Sequence, residues 1–97
     1  MGYGSNVYTG AIKVDAVSGI PQIGPFAGHL VTLSRHVGQA SHGFRSGYTL
    51  RPCEWVRLEI AGERTRSFQY TGKNLANAAR QLVEFRQAIA KGEVRAA

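Results

Sequence analysis

The sequence predicts an α+β fold: an antiparallel three- to four-stranded sheet with one C-terminal amphipathic helix packed on one face. Three observations predict it. Residues 55–70 alternate apolar and polar side chains in two runs, split by Ala61-Gly62-Glu63. Residues 75–89 carry apolar side chains at steps of three and four. Nine of the twelve glycines lie in residues 1–47, with Pro21 and Pro25 among them, which is the punctuation of strands joined by loops. A length of 97 residues fits one domain. Residues 1–5 and 93–97 are expected to fray at its ends.

The first strand is expected over 6–17, with Tyr8, Ile12, Val14 and Ala16 on one face and Thr9, Ala11, Lys13 and Asp15 on the other. Gly10 marks a bulge or a close backbone approach. Residues 17–26 read as a loop carrying Ile20, Ile23 and Phe26. These three fold back on the core edge or form a contact surface. A second strand is expected over 28–36, with Val31 and Leu33 on one face and Leu30, Thr32 and Ser34 on the other. Gly38 to Gly47 reads as a polar loop with His42, Phe44 and Arg45.

A hairpin follows. Tyr48 to Arg51 is a short strand or the entry to the next, interrupted by Pro52. Val56, Leu58 and Ile60 then alternate with Trp55, Arg57 and Glu59, and Arg66, Phe68 and Tyr70 with Thr65, Ser67 and Gln69. A slip of one residue turns every side chain to the other face. An odd-length connection is therefore expected, setting Leu58 opposite Arg66 or opposite Phe68.

The helix buries Leu75, Ala78, Ala79, Leu82, Phe85 and Ile89 in one stripe. Thr71 is the expected N-cap and Gly92 the glycine that ends the helix. One helix covers one sheet face. The other, with Trp55, Arg57, Glu59, Thr65, Ser67 and Gln69, is left for water, a partner or a second copy of the chain.

Charge narrows the partners. Twelve Lys and Arg against six Asp and Glu give +6, and nine of the twelve are Arg. A basic surplus favours acidic partners, and the planar guanidinium suits phosphate. The sequence lacks a run of apolar residues long enough to span a membrane and a recognisable export signal. With a single cysteine, Cys53, a cytoplasmic, disulfide-free protein is expected.

Catalytic groupings are missing. Asp15 is the only aspartate, Cys53 sits between Pro52 and Glu54 outside any nucleophile motif, and Glu54 and Glu59 fall on opposite faces of a regular strand. His29, His36, His42 and Cys53 match no compact metal motif. Gly72-Lys73 lacks the phosphate-loop context, with Ser67 and Asn74 where that loop needs glycine and Ser or Thr. No enzyme, cofactor or metal is expected.

The run Gly47-Tyr48-Thr49-Leu50-Arg51-Pro52-Cys53-Glu54-Trp55 resembles the strand-to-helix junction of the small single-stranded-DNA-binding coactivators. The likeness covers these nine residues and stops there, because 55–60 alternate as a strand where that family has a helix.

The expectation is a small non-enzymatic module that binds nucleic acid through Arg57, Arg64, Arg66 and Trp55, with Lys73 helping at the helix start. Aromatic platforms in basic grooves bind single strands in this way. The alternative is a protein-interaction module, an accessory regulator or inhibitor that meets an acidic protein or forms a homodimer. It would use the open sheet face or Ile20, Ile23 and Phe26.

Overall fold

The computed structural model describes residues 8–42, 47 and 49–97. The expectations for residues 1–5, for Phe44 and Arg45, and for Tyr48 lie outside them. The elements are β1 (Tyr8–Pro21), β2 (Val31–His42), β3 (Thr49–Ile60), β4 (Arg66–Thr71), a 3-10 turn (Gly72–Asn74), α1 (Ala76–Ala90) and β5 (Val94–Ala96). The class is α+β and the sheet is antiparallel, as expected. It has five strands rather than three or four, in the order β4-β3-β2-β1-β5.

The fifth strand comes from the C-terminal residues expected to fray. The cause is the way α1 ends. Gly92 adopts φ 81°, its N–H donates to the Ile89 carbonyl at 3.0 Å, and the Glu93 N–H donates to the Ala88 carbonyl at 3.0 Å. This pair of bonds closes the helix in a Schellman motif. It also aims Val94 back at the sheet, where Gly19, Ile20 and Pro21 pair with Ala96, Arg95 and Val94. Gly19 makes room for this return. A Cβ there would lie 2.5 Å from Val94 Cγ1, 3.1 Å from the Arg95 carbonyl oxygen and 3.3 Å from Phe85 Cε2. Gly19→Ala is therefore expected to destabilise the fold by about 1–3 kcal/mol. A urea titration checks this, with Gly19→Ala/Val94→Ala recovering part of the loss.

The strands run longer than the sequence suggests. β1 continues through Ile20 and Pro21, and β2 continues through the glycine-rich stretch to His42. β3 runs straight through Pro52, which lies one position beyond the last β3–β4 pair, Cys53 with Thr71. Among the described residues no strand pairs with this edge of β3 beyond that pair, and proline is tolerated on such an edge. The hairpin takes one of the two expected registers, Leu58 opposite Arg66 and Val56 opposite Phe68. Gly62, at φ 83°, occupies the third position of a turn closed by the Glu63 N–H on the Ile60 carbonyl at 2.8 Å. A type II turn favours glycine there.

The core lies between α1 and one sheet face. Ala78 and Leu82 meet Leu33 and Val56, with Val17, Leu58, Tyr70 and Phe85 packed around them. Ala79, expected in the buried stripe, is exposed. Thr71 makes no side-chain capping bond, and α1 begins after the 3-10 turn rather than at Thr71.

On the same face Arg86 holds the Asp15 carboxylate with both nitrogens, at 2.7 and 2.8 Å. That bond holds the Asp15 pKa below its ordinary value. A lowered carboxyl pKa favours the folded state above the unfolded-chain value, and the gain disappears as pH falls through the folded value. Asp15→Asn is expected to lower stability modestly at neutral pH, and the loss is expected to shrink as pH falls below the ordinary carboxylate range. Urea titrations at neutral and acidic pH check this.

Candidate functional site on the open sheet face

The candidate site lies on the sheet face that α1 leaves uncovered. Pairing partners in a sheet share a face. His36 opposes Trp55, Ser34 opposes Arg57, and Arg57 opposes Ser67, so all five side chains rise from this face. Ala40 opposite Arg51 and Ile20 opposite Arg95 add two more cations to it.

Two bulges in β1 complete the site. Gly10 and Ala11 together oppose the single residue Gly38, which is the bulge expected at Gly10. A second irregularity falls between Lys13 and Asp15. It breaks the alternation expected along this strand. Lys13 pairs with His36 on the open face, whereas Asp15 pairs with Arg35 on the helix face. The two residues were expected on one face, and a bulge turns one of them over.

Charges are consequently sorted by face. Lys13, Arg51, Arg57 and Arg95 share the open face with His36, and Glu59, opposite Thr32, is the acidic residue beside them. Asp15 and Glu54 lie on the other face, engaged by Arg86 at 2.7 Å and Arg35 at 2.8 Å.

A cleft of about 230 Å³ opens here, lined by Ala11, His36, Trp55, Arg57 and Ser67. Trp55 is only 8% exposed, so it forms part of the cleft floor and presents no open platform for stacking a base. Gly38 permits this placement, since a Cβ there would lie 3.1 Å from Trp55 Cζ3 and 3.0 Å from Ala11 Cα. Beside Trp55, Ala40 and Cys53 complete a small second core. Gln69 Nε2 donates to Cys53 Sγ at 2.9 Å, and burial pushes the thiol pKa up. A buried thiol with a raised pKa is a poor nucleophile.

His36 is half-buried and bonded through Nε2 to the Ser34 hydroxyl at 3.0 Å. Burial lowers its pKa, and the neighbouring charges of Arg57 and Lys13 lower it further.

The other residues expected in the site are dispersed. Arg66 opens β4 opposite Leu58, on the helix face, and Arg64 lies in the connection before it. Lys73 belongs to the 3-10 turn after Thr71, at the far end of β4 from Arg66. Thus Arg57 and Trp55 share the cleft, while Arg64 and Arg66 mark the hairpin tip. Sequence reasoning missed His36 and Lys13. The alternation of Thr32, Ser34 and His36 along one strand face was a signal for the first. Strict alternation hides the second.

The apolar trio also separates. Ile20 is half-buried within β1, Phe26 is half-buried in the loop, and Ile23 is 78% exposed. One exposed isoleucine is ordinary for a protein surface.

Among the described residues no group of three or more His, Cys, Asp or Glu side chains could hold a metal ion, and no helix is long and apolar enough to cross a membrane. Comparison with family models, curated proteins and solved structures finds no match for this chain.

Proposed function

We propose that this protein is a small, cytoplasmic, non-enzymatic module that binds nucleic acid through its open sheet face. The observation that carries the reading is the sorting of charge. Lys13, Arg51, Arg57 and Arg95 sit on one face, while Arg35 and Arg86 neutralise carboxylates on the other. A flat cationic face attracts a phosphate backbone, and exposed lysine and arginine side chains displace its counterions. Phosphate contacts carry the affinity in this reading, because the Trp55 ring is covered. Arg57 is the central contact. Arg64 adds a charge at the hairpin tip, Arg66 adds one beside it on the helix face, and Lys73 adds one beyond the other end of β4.

The test is a fluorescence-anisotropy titration with short single- and double-stranded DNA and RNA, at low salt and at about 150 mM. Binding that weakens steeply with salt yet persists at the higher concentration supports the reading. No binding at low salt overturns it and turns the search to an acidic protein or a second copy of the chain, which light scattering would detect as a dimeric mass. An unchanged affinity in Arg64→Ala/Arg66→Ala would remove the hairpin tip from the interface.

A further inference from the structure

We propose that the open-face cleft takes a phosphoryl group together with a proton on His36, so that binding at this face is coupled to proton uptake. The inference rests on the nucleic-acid reading for the source of the phosphate, and on the geometry of the cleft for the rest.

The lining is that of an anion site. Arg57 contributes a guanidinium, Ser67 a hydroxyl and His36 an imidazole, and Trp55 supplies an apolar floor. None of the described residues that line it is acidic. Such donors bond phosphate oxygens, with the guanidinium able to meet two of them at once. A low-dielectric floor strengthens each of these contacts relative to open water.

His36 is the group in this set that can change charge near neutral pH. Every neighbouring strand bears on it. From β1, Lys13 lies directly opposite. From β3, Trp55 lies on its other side, Arg57 is one pair along, and Glu59 stands further off on the same face. Within β2 the Ser34 hydroxyl holds Nε2. Lys13, Arg57 and burial all oppose a proton, and Glu59 alone among these favours it.

A phosphate anion in the cleft shifts this balance toward the proton, because its negative charge offsets the repulsion from Lys13 and Arg57. Ser34 can follow the change. A hydroxyl both donates and accepts, so it serves the neutral ring as donor to Nε2 and the charged ring as acceptor from Nε2–H. The Ser34 bond therefore survives protonation, and Nδ1–H is left to donate to the ligand. The site binds a proton and a phosphoryl group together, and linkage makes each tighten the other.

The experiment follows the ring resonances of His36 by NMR across pH in the free protein, with a six-nucleotide single strand, and with inorganic phosphate. His36→Gln identifies the resonance. The His36 pKa is expected to rise with both ligands, and the oligonucleotide is expected to bind about tenfold more tightly at pH 5.5 than at pH 8. In His36→Gln that pH dependence should flatten. Oligonucleotide binding with an unmoved His36 pKa would overturn the inference and leave the nucleic-acid reading standing. Absence of oligonucleotide binding would overturn that reading, and phosphate then decides alone: a raised pKa upholds the proton-coupled anion site, and an unmoved one overturns it.

Discussion

Arg57→Glu is expected to weaken oligonucleotide binding by about 100-fold at low salt, the cost of losing a charge-assisted contact and facing phosphate with a like charge. Arg57 is exposed at the centre of the open face, opposite Ser34 on one side and Ser67 on the other. Surface substitutions of this kind leave stability within about 0.5 kcal/mol. The thermal midpoint should therefore hardly move. The control is Arg80→Glu, which makes the same change in net charge on an exposed position of α1. It is expected to weaken binding by less than about threefold, since screening confines the effect of a distant charge. Anisotropy titrations of the two variants side by side make the comparison. Equal losses would mean that net charge alone attracts the ligand and that the open face has no special part in it.

Leu82→Ala carries the largest expected loss of stability. Leu82 is 1% exposed and sits at the centre of the core, against Leu33, Val56 and Ala78. Truncating a buried leucine costs about 2–5 kcal/mol through lost burial and the cavity left behind. A domain of this size holds about 5–15 kcal/mol in all. The thermal midpoint should fall by about 10–20 °C, a large share of the margin. Val83 is the contrast, one residue along the same helix and 50% exposed. Val83→Ala should cost less than about 0.5 kcal/mol. Thermal melts of the pair locate the helix face that α1 turns to the sheet.

The parts of the fold that repeat were legible in the sequence. The helix was readable because Leu75, Ala78, Leu82, Phe85 and Ile89 keep one stripe, and Gly92 ends it. The hairpin register was confined to two choices because an even-length connection would have split Val56 from its apolar partners. What failed was the reading of interruptions. Gly19 and Gly38 read as loop punctuation in the sequence. Both lie within strands, where each lets another group approach the backbone: Val94 at Gly19, and Trp55 at Gly38. The fifth strand has only three residues and no periodicity to detect.

The same irregularities decided how much of the site was visible. That Arg57 and Trp55 share the open face was readable because β3 alternates without interruption from Trp55 to Ile60. The exposure of Trp55 was not readable, since it depends on Gly38 in the neighbouring strand. Lys13 was placed beside Asp15 because a bulge has no signature in alternation. Both expected registers already set Arg66 on the helix face, and the distance between Arg64 and Lys73 follows from the length of β4, which sequence reading did not fix.

The most direct test of the central claim is a map of backbone amide shifts as a short oligonucleotide is added at low salt. The largest changes are expected on Lys13, His36, Trp55, Arg57 and Ser67, with the exposed side of α1 quiet. Changes centred on Ala76–Ala90 or on the Ile23 loop, with those five amides unmoved, would contradict the claim.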